Sequence, residues 1–166
     1  APNLNRLSFA FEKWKDWDNE LYEIIEESVR SKEIDFDYKL YGFDISNAMV
    51  KKAEKNIEFA DIDIDIEIVK KDFLNSKKTD EDKLHILINP PYDKRISTDV
   101  NVLYKKIGDT LKNNYLYSDV WIITANLEAI KSIGLRSNKK IKLYNSNLES
   151  RLLNYAIYPG TKKNKN

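Results

Sequence analysis

The stretch Leu84-His85-Ile86-Leu87-Ile88-Asn89-Pro90-Pro91-Tyr92 constrains the fold of this chain more than any other: an apolar run stops abruptly at a polar residue, two prolines and an aromatic. A run this short, bounded by turn formers, predicts a strand rather than a helix, of the kind that parallel sheets cover on both faces. Pro90 and Pro91 have no N–H to donate to a ladder, so the strand ends there. Proline also disfavours helical angles at the residue before it, which holds Asn89 and Pro90 extended with their acceptor groups projecting from the strand's carboxyl end. Open α/β sheets bind ligands at that edge.

Such a loop suits methylation of an exocyclic amino group on a base. That nitrogen is a poor nucleophile because its lone pair is delocalised into the ring. If the side-chain oxygen of Asn89 and the carbonyl of Pro90 each accept one of its N–H bonds, the lone pair is drawn out of conjugation, and no strong base is needed. Tyr92 supplies a face for a base taken out of its helix, a contact worth about 1–3 kcal/mol. A plain strand-ending turn would show the same four residues, so the motif needs its context.

Composition removes competing chemistries. The chain has 166 residues, 42% hydrophobic and 33% charged, which is one domain's worth of globular material. It has no cysteine, which excludes disulfides and a thiolate nucleophile. Its one histidine, His85, lies in the apolar run and reads as structural, which argues against a Ser-His-Asp site or a multi-histidine metal site. No run is long enough to span a membrane and no signal-peptide pattern opens the chain, so no membrane partner is expected and the expected location is cytoplasmic. The net charge of +1 conceals a polarity: residues 1–82 carry 13 Lys and Arg against 21 Asp and Glu, whereas residues 83–166 carry 15 against 6. The second half is therefore the side expected to face an anionic partner.

In chain order, the aromatic-rich residues 5–14 predict a loop and short helix. Asp18 is placed to cap a helix over 19–30, with Leu21, Ile24, Ile25 and Val29 as its apolar stripe. Residues 38–44 read as a strand ending at Asp44, followed by a helix capped by Ser46 with Met49, Ala53, Ile57 and Ala60 at helical spacing. Strand, terminal acid, helix is the arrangement in which a carboxylate accepts from a ribose diol, so Asp44 is the candidate ribose ligand. Residues 62–69 alternate strictly, the pattern of a half-exposed strand near a sheet edge, and Asp72-Phe73 follow its carboxyl end. After the central strand come a helix over 100–113 with Leu103, Ile107 and Leu111 on one face, a buried strand over 118–124, and a short helix over 127–133 stopped by Gly134. Strands over 139–144 and 151–158 should close the domain as a β-hairpin, leaving a basic tail at 161–166. The fold class is thus α/β, a Rossmann-like sheet ending in an antiparallel hairpin, within one domain over 1–160.

Asn89-Pro90-Pro91-Tyr92 resembles motif IV of the amino-methyltransferases that use S-adenosylmethionine. Together with residues 41–46, 93–96, 103–109 and the Leu143-Tyr144-Asn145…Leu148-Glu149…Arg151-Leu152 pattern, nearly the whole chain resembles the catalytic domain of bacterial 23S rRNA guanine-N2 methyltransferases. The resemblance implies S-adenosylmethionine as cofactor, held by Asp44, Ile45, Asp72, Phe73 and Asn89, with Asp72 on the adenine amino group and Phe73 against its ring. It implies catalysis by Asn89, Pro90, Pro91 and Tyr92, and substrate contacts from Arg95, Asn145, Asn147 and Arg151, the arginines on phosphates. It favours guanine in ribosomal RNA over adenine.

Asp93 stands where relatives carry glycine, and the glycine-rich turn that grips the cofactor's methionine portion is missing, since the only glycines are Gly42, Gly108, Gly134 and Gly160. The resemblance therefore places the motif I strand in an upstream segment, together with a THUMP-type RNA-binding domain. The alternatives are an adenine-N6 methyltransferase and a catalytically silent RNA-binding fragment.

Overall fold

A computed structural model describes residues 8–32, 34, 36–60, 62, 66–79, 83–91 and 99–160. The chain divides into two compact units, Ala1–Lys71 and Asp72–Asn166.

In the first unit, a short 3₁₀ turn over Ala10–Lys13 holds an aromatic cluster: Phe11 lies 5.3 Å from Trp17, and Trp17 lies 5.0 Å from Tyr22, between ring centroids. Helix α1, Asn19–Arg30, has the expected bounds because its cap forms: Asp18 accepts from the Leu21 N–H at 2.9 Å. Its apolar stripe, Leu21, Ile24, Ile25 and Val29, is exposed. Strand β1, Leu40–Asp44, pairs in parallel with β2, Ile66–Lys70, in a register that sets Asp44 opposite Lys70. Between them runs α2, Asn47–Phe59, packed on both strands and burying Val50 near its start, with Ala60 buried just past its end. Ser46 occupies the N-cap position but makes no side-chain cap bond; instead its own N–H donates to Asp44 at 2.7 Å. A two-residue Asx turn serves the entry to the helix where a serine cap was expected. Residues 63–65 of the alternating segment lie outside the described residues, and β2 begins at Ile66.

The second unit opens with a 3₁₀ turn over Phe73–Asn75 and builds a sheet of order β3-β4-β6-β5. Here β3 is His85–Ile88, β4 is Asp119–Thr124, β5 is Lys139–Asn145 and β6 is Leu148–Ala156. The first pair is parallel and the others antiparallel. The expected closing hairpin is present and tighter than read: Asn145 pairs with Leu148 across a two-residue turn, and Ser146 takes a positive φ of 54°. Two-residue hairpin turns need that left-handed backbone to match the strand twist.

Helix α3, Val100–Asn114, covers one face of this sheet. Its predicted face forms, with Ile107 and Leu111 buried against Val120, Ile122, Leu153 and Tyr155. Gly108 is required for this packing, because a Cβ there would collide with the backbone oxygen of Ile133 in the following 3₁₀ helix, Ala129–Ile133. That helix ends at Gly134 in the left-handed conformation, φ 63°.

One expectation fails. Strand β3 is not covered on both faces: Ile86 and Ile88 pack on the core, whereas Leu87 is 74% exposed and His85 also faces outward. β3 ends its sheet, with β4 on one side and no ladder partner on the other among the described residues, and no described element of this unit covers its outward face. His85 is structural only in a loose sense, resting against Asp119 at 3.4 Å.

Candidate active site at the carboxyl edge of β3

The strand carrying the Asn-Pro-Pro element behaves as its sequence requires. The β3 ladder stops at Ile88, Asn89 and Pro91 are exposed, and Pro90 between them is buried. The exposed amide of Asn89 is thus held at the carboxyl end of a parallel strand by a proline anchored below it. Tyr92 and Arg95, expected to stack on the base and hold a phosphate, lie outside the described residues.

Register builds the surroundings. Ile88 is opposite Ile122, so the end of β4 at Thr124 comes level with the prolines. Thr124 is buried, and its Oγ1 lies 2.6 Å from the hydroxyl of fully buried Tyr104 on α3. The same oxygen accepts from the Asn126 N–H at 3.0 Å, and Asn126 in turn accepts from the Ala129 N–H at 2.8 Å. A phenol on the helix therefore fixes the end of β4 and the loop that leaves it. Burial pushes the Tyr104 hydroxyl above its ordinary pKa, partly offset by the bond to Thr124, so it stays protonated and able to donate.

Opposite Thr124 on β6 is Arg151, and opposite Arg151 on β5 is Lys142. Both cations share one carboxylate: Glu149 Oε1 lies 2.6 Å from Arg151 Nη2, and Oε2 lies 2.8 Å from Lys142 Nζ. The lysine hydrogen bond is the main cause holding the Glu149 carboxyl low, and the same bond raises Lys142. Arg151 Nη1 is buried and finds no acceptor among the described residues. The N–H groups of that nitrogen are therefore unspent close to the strand ends. Asn147 is exposed in the hairpin turn, and Asn145 closes β5.

The expected cofactor residues are arranged less simply. Asp44 is exposed at the carboxyl end of β1, and only its Oδ1 is engaged among the described residues, so Oδ2 is available to a diol; Ile45 beside it is exposed and apolar. This fits a ribose. Asp72 serves its own turn, with Oδ1 accepting from the Leu74 N–H at 2.9 Å and Oδ2 from the Asn75 side-chain amide at 2.6 Å. Phe73 is half-buried and stacked on Tyr115 at 5.3 Å. Both have structural partners, and the carboxylate keeps lone pairs for a further donor. No local sequence signal marks Tyr104, Thr124 or Lys142 as part of this edge. Thr124 was visible only as the polar end of an apolar strand, and nothing local paired it with Tyr104.

This is the α/β Rossmann-like fold of methyltransferases. The chain is similar to a possible methylase from Clostridium difficile 630, with a TM-score of 0.75 and 28% identity over 96% of this chain and 42% of that one. It is equally similar in structure to SMU.472, solved in complex with SAH, with a TM-score of 0.75 and 25% identity over 95% of this chain and 42% of that one. Residues 1–154 match the family described as RMKL-like, methyltransferase domain, and the chain belongs to that family. Among curated relatives, the ribosomal RNA large subunit methyltransferase K/L of Cellvibrio japonicus is 30% identical over 95% of this chain, and that of Psychromonas ingrahamii is 30% identical over 96%. The chain spans 22% of the length of each.

Proposed function

We propose that the protein is part of an S-adenosylmethionine-dependent methyltransferase acting on the exocyclic N2 amine of a guanine in 23S ribosomal RNA. The observation that carries this reading is the exposed Asn89, seated on buried Pro90 at the carboxyl end of a parallel strand, in a chain of this family. The cofactor, when bound, supplies an electrophilic methyl group. Asp44 and Ile45 would hold its ribose, and Asp72 and Phe73 its adenine. The Asn89 side-chain oxygen and the Pro90 carbonyl accept the two N–H bonds of the target amine, which turns its lone pair out of the ring plane's conjugation and aims it. Tyr92 stacks on the extruded base, Arg95 and Arg151 take phosphate oxygens, and Asn145 and Asn147 border the substrate. The reading includes an upstream segment carrying motif I and a THUMP-type RNA-binding domain, as the family resemblance implies.

The test is incubation of the full chain, with its natural flanking sequence, with undermodified ribosomal RNA, followed by nucleoside analysis. N2-methylguanosine is the expected product. Methylation of adenine N6 alone would move the enzyme to the adenine branch, and RNA binding without any methylation would leave a silent binding module.

A further inference from the structure

Between Glu128 and Glu149 the sequence has no acid and five cations, Lys131, Arg136, Lys139, Lys140 and Lys142. Three of these fall on β5, the last strand of its sheet, whose outer edge has no ladder partner among the described residues. Alternation places Lys140, Lys142 and Tyr144 on the same face of β5 as Arg151 and Thr124 on the neighbouring strands. Tyr144 is 63% exposed, and Lys142 Nζ lies 5.1 Å from its ring centroid. Glu149 is divided between Lys142 and Arg151, so the cluster keeps a positive balance, and Lys140 forms no ion pair among the described residues. Three strand spacings of about 4.8 Å, roughly 14 Å in all, separate Lys142 on β5 from the carboxyl end of β3.

Lysines on an edge strand are also a common guard against edge-to-edge aggregation. That role needs no outward aromatic. A basic strand with a protruding ring matches the two requirements of an unpaired nucleic acid strand, cations for the backbone and a flat face for a base, whereas a duplex keeps its base faces stacked on one another.

We propose that β5 is the track for the single-stranded RNA flanking the target base, with Lys140 and Lys142 on its phosphates and Tyr144 stacked on a neighbouring base. This rests on the guanine-methylation reading and adds to it the path of the substrate strand. The experiment measures binding of a short fluorescein-labelled single-stranded oligoribonucleotide to the full chain by anisotropy across a salt series. Lys140→Gln should reduce the steepness of log affinity against log salt by about 0.7, the value for one phosphate contact on a single strand. Tyr144→Ala should weaken binding about tenfold, while Tyr144→Phe retains it, because stacking needs the ring alone. An unchanged salt slope in Lys140→Gln together with unchanged affinity in Tyr144→Ala would overturn the track, whatever the methylation assay returns. Loss of affinity in these variants with no N2-methylguanosine formed by the unsubstituted protein would support the track and defeat the guanine reading.

Discussion

The hydroxyl pair Tyr104–Thr124 offers a direct measure of how α3 fixes the end of β4. Tyr104 is fully buried, Thr124 is 1% exposed, and their oxygens are 2.6 Å apart. Tyr104→Phe keeps the ring and removes one hydrogen bond, leaving Thr124 still accepting from the Asn126 N–H, so it should lower stability by about 1 kcal/mol. Thr124→Val strands the phenol in the core without a partner and also removes the acceptor for Asn126; about 2–3 kcal/mol is expected. In the double variant no phenol remains to be stranded, so the total loss should fall short of the sum by about 1 kcal/mol or more. Urea unfolding of the four proteins, followed by circular dichroism, gives all three differences at constant m-value. Losses that add to within about 0.5 kcal/mol would show the hydroxyls to be independent and would refute the coupling of helix to strand end.

Three further outcomes are expected. Asn89→Ala should lower turnover more than RNA affinity, because aligning the amine matters most in the transition state; steady-state kinetics with matched binding measurements would show an equal loss in both if Asn89 were merely structural. Burial pushes the Tyr155 hydroxyl from 10.0 to about 12, so the folded state favours the protonated form: its contribution is fully present below pH 10 and is lost as pH rises toward 12, by about 3 kcal/mol, and Tyr155→Phe should flatten that alkaline fall in a pH series of unfolding curves. Leu87 on β3 and the α1 stripe of Leu21, Ile24, Ile25 and Val29 are exposed, so the 166-residue chain alone should self-associate; a monodisperse 19.5 kDa monomer with one cooperative transition in sedimentation and unfolding experiments would refute this.

Much of this chain is legible from local physics alone. The α1 bounds follow from the Asp18 cap, and the stop at Asn89 from two prolines that cannot extend a ladder; the glycine end at Gly134 likewise needs only neighbours in sequence. The acid at the end of β1 and the amide at the end of β3 were found the same way, because a strand's terminus and its polar punctuation are short-range features. What neighbours in sequence do not determine is which strand lies beside which. The placement of β6 between β4 and β5 sets Arg151 opposite Thr124 and Lys142 opposite Arg151, and the packing of α3 on the sheet pairs Tyr104 with a threonine twenty residues away. Exposure of Leu87 and His85 was likewise undecidable from an apolar run, since periodicity reports which residues share a face and not whether anything covers it. Those facts depend on long-range strand order, which is set by the packing of the whole sheet against α3.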